Sequence, residues 1–229
     1  MLVAFKSSTK ASDLRVPYSH FALRYSSSVK IIQLADSNFL ILSRHKDIGS
    51  TPAMAGLTWC HQNGDTSKTK LLTLNSGSAT PLDIISLHDG SLFISGTTDD
   101  PLDNTLFTIH LDSTGSLISS KLHTSIDAVW LSNSIQLDSG HVLLAATMVN
   151  VPESMIYYKV NSDGDSLSFH NYTFPGLFGV TCNQLLNDST LLFGGDMSNS
   201  NFVLFTNLNG DSLSIITFPF TTSEKNHIS

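Results

Sequence analysis

The residues able to carry chemistry are few and scattered. The two cysteines, Cys60 and Cys182, are far apart, and the nine histidines stand singly, with no His-Glu-x-x-His pair. Both thiols are expected to be free and buried, behaving as small apolar side chains. The histidines, such as His61, His110 and His170, are expected at the surface or in turns. No Gly-x-Ser-x-Gly elbow or phosphate-binding loop occurs. Asn161-Ser162-Asp163-Gly164-Asp165-Ser166 has oxygen donors at the spacing of a calcium loop, but no late Glu follows. A hydrolase would need an acid and a base converging on one cavity. Asp83, Asp99 and Asp127 are the carboxylates that could serve. No metal and no cofactor is expected, and the enzyme reading is the weaker one.

The elements that would position such groups follow from composition. Charged residues make up only 14% of the chain, whereas serine occurs 35 times and Glu only twice, at Glu153 and Glu224. A chain so poor in Ala, Glu, Lys and Arg has little material for surface helices. Ser, Thr, Asn and Asp compete with helical backbone bonds and favour turns. An all-β protein with many tight turns is therefore expected. The net charge of −7, with no cluster of Lys and Arg, argues against a nucleic-acid partner. No apolar run approaches the roughly 18 residues of a membrane-spanning helix, so no membrane insertion is expected. Met1-Leu2-Val3-Ala4-Phe5-Lys6 is too short for the apolar region of a signal peptide.

Two interleaved series of turns recur. The glycines of Asn63-Gly64-Asp65, Thr114-Gly115-Ser116, Asp163-Gly164-Asp165 and Asn209-Gly210-Asp211 are 51, 49 and 46 residues apart. Between them lie Asp36-Ser37-Asn38, Asp89-Gly90-Ser91, Ser139-Gly140-His141 and Asp188-Ser189-Thr190, followed by Phe39, Leu92, Val142 and Leu191 at spacings of 53, 50 and 49. Asx-Gly turns between apolar runs mark β-hairpins. Each period then holds four strands, A to D. Strand B is a short continuous apolar run, such as Val142-Leu143-Leu144-Ala145-Ala146, which suits burial on both faces. Gly96, Ala145, Ala146, Gly194 and Gly195 near the ends of these runs fit either crowding by neighbouring units or the start of loops.

Four antiparallel strands per period of about 40–50 residues is the signature of a β-propeller blade. The fold expected is an all-β propeller of four complete four-stranded blades plus a two-stranded partial blade. The boundaries are 1–26 for the partial blade, then 27–76, 77–124, 125–174 and 175–220, with a flexible tail at 221–229. In the partial blade, Leu2 to Lys6 reads as a strand C and Leu14 to Leu23 as a strand D. Its A and B strands do not appear, so the array is expected to be a fragment or open arc, or else a small five-bladed ring. Terminal blades of an open arc would expose apolar faces and favour association.

Gln-Leu-Asp-Ser-Gly-His-Val-Leu-Leu-Ala-Ala-Thr at 136–147 and Ile-His-Leu-Asp-Ser-Thr-Gly-Ser-Leu-Ile-Ser-Ser-Lys at 109–121 carry a family likeness. The unit resembles the secreted bacterial β-propeller repeats associated with type IX secretion sorting domains. The pattern is strand, Asp-Gly turn, apolar strand ending in Gly or Ala, loop, then a strand leading into Asp-x-x-Gly and a further strand. It runs through all four periods, although no strand D here has the Trp that the family often carries. The resemblance implies a propeller module exported to the cell surface or the medium.

Binding is expected on the B–C loops, which emerge on one face and vary most in length and chemistry. Loops on a rigid scaffold are where function concentrates. They carry Arg44, His45 and Lys46; Asp99, Asp100 and Asp103; Glu153; and Asp196. The expected partner is a protein or glycan, or the remaining blades of a longer chain. The alternative is a glycan-active hydrolase or lyase domain.

Overall fold

The computed structural model describes residues 25–46, 54–72, 79–98, 105–124, 126, 129–138, 140–148, 154–174 and 176–220. The segments read as a partial blade at 1–26 and as a tail at 221–229 thus fall almost wholly or wholly outside the described residues.

Four turns of identical design close the outer hairpins. In each, a glycine with φ between 80° and 91° follows a hydrogen-bonded turn: Gly64, Gly115, Gly164 and Gly210. The glycine N–H donates to the carbonyl three residues back, at His61, Asp112, Asn161 and Asn207. The next residue's carbonyl then accepts from that same earlier residue, and the strand pair slips register by one at each site. This is a type I turn followed by a left-handed glycine, which adds the local twist that antiparallel strands need. Side chains reinforce it. Asp112 Oδ1 accepts from the N–H groups of Thr114 and Ser116, and Asn207 Oδ1 from those of Asn209 and Asp211.

Sixteen strands result, with no helix among the described residues. The first sheet holds β1 (Tyr25–Gln33), β2 (Phe39–Lys46), β3 (Met54–Cys60) and β4 (Thr66–Leu72). The second holds β5 (Ala79–Ser86), β6 (Leu92–Thr98), β7 (Leu106–Leu111) and β8 (Leu117–His123). The third holds β9 (Val129–Gln136), β10 (His141–Met148), β11 (Ser154–Asn161) and β12 (Ser166–Thr173). The fourth holds β13 (Leu177–Asn187), β14 (Thr190–Met197), β15 (Ser200–Asn207) and β16 (Ser212–Pro219). Each sheet is an antiparallel meander in chain order.

The sheets stack face to face in succession. β5 packs on β1, β2 and β3; β9 packs on β5 and β6; β13 packs on β9, β10 and β11. The arrangement is propeller-like, with the first strand of each sheet innermost. Alternation along the second strands explains why they are apolar throughout. Leu92 and Ile94 enter the layer shared with the first sheet, while Phe93 between them enters the layer shared with the third. Val142 and Leu144 face back in the same way, and Leu143 and Ala145 face forward.

Gly96 and Gly195 lie within strands, not at loop starts, and what crowds them is their own sheet. A β-carbon on Gly96 would lie 2.3 Å from the Thr80 carbonyl and 2.6 Å from the Phe107 ring; on Gly195 it would lie 2.2 Å from the Gly179 carbonyl. Each is squeezed between the innermost strand's backbone and an aromatic ring of the third strand.

The turn glycines differ in a testable way. A β-carbon on Gly115 would meet the Trp59 ring of the preceding sheet at 2.5 Å, whereas one on Gly64 would meet nothing within 4 Å. Gly64→Ala bears only the backbone penalty, expected at about 1 kcal/mol. Gly115→Ala adds a clash and should cost about 2 kcal/mol. Urea unfolding of both variants checks the difference; equal losses would contradict it.

Candidate functional site

The innermost strand of every sheet bulges at the same place. The irregular residues are Val29, Leu82, Ser132 and Thr181, and the residues just beyond them are Lys30, Asp83, Asn133 and Cys182. These four pair with Leu42, Ser95, Ala145 and Gly194. The bulges thus bring repeat-equivalent side chains to one level of adjoining strands.

A polar seam forms there. Lys30 Nζ donates to Asp83 Oδ1 at 2.5 Å, and the Ser134 N–H donates to Asp83 Oδ2 at 2.5 Å. Asp83 is 2% exposed. One buried carboxylate therefore ties the innermost strands of three sheets. The Ser95 and Ser134 hydroxyls meet at 2.6 Å. Asn133 and Asn183 each donate a side-chain amide N–H to the other's backbone carbonyl, at 3.3 Å. Desolvated polar groups must find partners, and here the neighbouring sheet supplies them. Both oxygens of Asp83 are engaged by protein donors. The structure makes it a connector, ill placed as a hydrolytic acid. Asp99 and Asp127, the other two carboxylates considered for that role, lie outside the described residues.

The expected binding residues divide into three groups. The sequence places Arg44 and His45 in the first B–C loop, but β2 runs on through Lys46, so both sit on a strand. The apolar run ends at Leu42, which hid the continuation; Ser43 and His45 extend the strand by pairing with Gly56 and Met54. Arg44 is half-buried. His45 is buried, with Nε2 2.7 Å from the Ser43 hydroxyl, and burial holds its pKa below the ordinary value. A binding role that needs His45 at the surface is thereby corrected. Lys46 ends the strand, and its side chain is outside the described residues. Asp99, Asp100, Asp103 and Glu153 are outside them altogether. Asp196 is exposed, but it also lies on a strand: β14 continues to Met197 and β15 starts at Ser200, leaving a two-residue connection. Arg44 and Asp196 occupy the same repeat position as Thr147, whose hydroxyl accepts the Val180 N–H at 2.8 Å.

Among the described residues three histidines are interior rather than superficial. Besides His45, His110 places Nε2 2.9 Å from the Ser91 hydroxyl. His123 places Nε2 3.1 Å from the Thr108 hydroxyl and Nδ1 2.8 Å from the Tyr158 hydroxyl of the next sheet. Burial lowers the His123 pKa to about 4, with Lys121 adding to the effect. Its position at the end of an outer strand gave no sign in sequence that a neighbouring sheet would cover it.

Both cysteines are free, and Cys60 is buried, but Cys182 is exposed. It occupies the Asp83 position on the face that a following sheet covers elsewhere. No sheet follows the fourth among the described residues. The calcium-like segment is a hairpin turn. Asn161 Oδ1 accepts the Asp165 N–H at 2.7 Å, and the Asp165 carboxylate takes Lys121 at 2.9 Å. Lys121 holds the Asp165 carboxyl below its usual range. Among the described residues no group of three or more His, Cys, Asp and Glu side chains could hold a metal, and no helix is long and apolar enough to cross a membrane.

No family model matches the chain. No curated protein matches it either. Among solved structures it is similar to one described as the crystal structure of the eukaryotic initiation factor, at 12% identity and a TM-score of 0.45, over 83% of this chain and 55% of that one. The chain thus spans about half the length of that structure.

Proposed function

We propose that this chain is a non-catalytic β-propeller repeat module of a secreted or cell-surface protein, binding a protein or glycan through the face where the B–C connections emerge. Its blades are the four sheets plus a two-stranded partial blade, set as an open arc. Export rests on the family likeness of the 109–121 and 136–147 segments. The observation that carries the binding reading is a contrast between the two ends of the sheets. The C–D turns are uniform, and those at Gly115, Gly164 and Gly210 are packed closely on the preceding sheet. The B–C connections instead span residues 47–53, 99–105, 149–153 and 198–199, and so differ in length and sequence. Loops that vary in length and sequence on a rigid scaffold are where binding concentrates.

Replacing residues 99–104 with a Gly-Ser hexapeptide is expected to weaken binding at least about tenfold, roughly 1.4 kcal/mol, without moving the urea midpoint. A glycan array and a cell-surface protein panel, probed with both forms, supply the readout. Binding that survives this replacement and Asp196→Ala together would overturn the assignment to that face. Hydrolysis of any polysaccharide on the same panel would overturn the non-catalytic part.

A further inference from the structure

The joints between successive sheets share one shape but differ in chemistry. At each, the turn of the following sheet lies on the outer strands of the preceding one. A β-carbon on Gly115, Gly164 or Gly210 would lie 2.4–2.5 Å from a side chain there. Ammonium groups tie the first joint. Lys30 donates to Asp83, and Lys68 and Lys70 donate to the Thr114 and Gly115 carbonyls at 2.6 Å. Such cations keep their charge throughout the acid range. Hydroxyls and amides tie the third joint. Tyr157 and Tyr172 donate to the Leu208 and Gly210 carbonyls, Thr147 accepts the Val180 N–H, and Asn133 and Asn183 exchange amide bonds. Groups of these kinds take up no proton between about pH 7 and pH 4. His170 lies against Gly210 at this joint but is only half-buried.

The second joint is tied through a buried imidazole. His123 of β8 stands between the Thr108 hydroxyl of its own sheet, 3.1 Å from Nε2, and the Tyr158 hydroxyl of the third sheet, 2.8 Å from Nδ1. The His123 and Tyr158 rings also meet edge to face, with centroids 5.0 Å apart. All three side chains are buried. Among the described residues, the titratable or charged groups facing His123 are Lys121 of β8, Tyr158 of β11 and Asp165 of the turn after β11. Lys121 repels a second cation. Asp165 attracts one, but it is exposed and already engages Lys121 at 2.9 Å. His110 of the same joint lies 2.9 Å from the Ser91 hydroxyl and 3.5 Å from the Asp163 carboxylate, a contact that charge on the ring would strengthen. A proton on His123 leaves its hydrogen bonds possible, since both hydroxyl oxygens can accept. What the closed joint withholds is water around the new charge.

We infer that His123 is an acid-released latch: its protonation opens the joint between the second and third sheets while the first and third joints stay closed. The opening parts the first two sheets from the last two without unpairing any strand. The selectivity comes from the ties themselves, because only the second joint hides, between two sheets, a group that gains charge in mild acid. The latch depends on neither the proposed binding face nor the proposed export.

Thiol exchange reads two joints from one strand. Ala146 lies in the apolar layer of the second joint, and its neighbour Ala145 in that of the third; both are buried. Ala146→Cys and Ala145→Cys are made singly in the full chain and reacted with 4,4′-dithiodipyridine at pH 7 and pH 5. Adducts are read peptide by peptide by mass spectrometry, so Cys60 and Cys182 stay in place. Each rate is divided by that of the same protein in urea at the same pH. With 6.5 for the open ring and about 4 for the closed one, the rate at Ala146→Cys should rise about twentyfold, and that at Ala145→Cys less than about threefold. His123→Gln should abolish the rise without raising the rate at pH 7. Lys121→Met keeps the imidazole but removes the repelling cation, and should shrink the rise at least about twofold. Equal rises at the two thiols would mark global unfolding and overturn the inference. So would a rise that survives His123→Gln, or no rise at Ala146→Cys.

Discussion

Asp83→Ala is expected to lower the unfolding free energy by about 3 kcal/mol. The carboxylate is 2% exposed and engages Lys30 and the Ser134 N–H, so its removal strands a cation and a buried backbone donor. Removing one partner of a buried pair costs about 3–5 kcal/mol. Lys30 is 35% exposed and can regain water, which places the expected loss at the lower end. Asp83→Asn keeps an oxygen for the Ser134 N–H and should lose roughly half as much. Urea unfolding of the single variants and of Lys30→Met with each gives the coupling directly. Additive losses in the double variant would contradict the bridge. A loss below about 1 kcal/mol for Asp83→Ala would contradict its role as connector of three sheets.

Acid should destabilise the protein well above the range in which carboxylates titrate. His123 has its pKa lowered to about 4 by burial, against 6.5 unfolded. Between those values the unfolded chain binds a proton that the folded chain refuses. The stability this contributes is complete above pH 6.5 and is lost as pH falls from 6.5 towards 4. The span corresponds to at most about 3 kcal/mol. Lys121 strengthens the effect and Asp165 opposes it. His45, whose pKa burial also lowers, acts with the same sign. His123→Gln retains groups able to bond Thr108 and Tyr158 but cannot take up the proton. The urea midpoint of the variant should therefore fall less steeply than that of the parent between pH 6.5 and 4. Parallel slopes would show that His123 is not the group responsible.

These two residues owe their roles to partners remote in sequence. Asp83 was legible as a carboxylate near an innermost strand, and so became a candidate acid. Its actual role depends on Lys30 and Ser134, which lie 53 and 51 residues away. His123 falls under the general expectation that the histidines lie at the surface or in turns, yet Tyr158 of the next sheet bonds to it in the interior. The sequence places Arg44, His45 and Asp196 in loops because the apolar runs end before them. Strand pairing carries backbone order past the apolar core, since hydrogen bonds hold a strand whether or not its side chains are buried.

The sequence by itself determined the all-β class and the repeating four-stranded antiparallel sheets found among the described residues. Turn chemistry is local: a left-handed glycine after an Asx or Ser/Thr residue sets a hairpin whatever surrounds it. Apolar runs between such turns then mark strands that need cover on both sides. Tertiary structure decided which polar groups became connectors, which histidines were desolvated and which cysteine stayed exposed. Those outcomes turn on contacts between residues about fifty positions apart, where a side chain's neighbours are set by the stacking of sheets rather than by its own flanking residues.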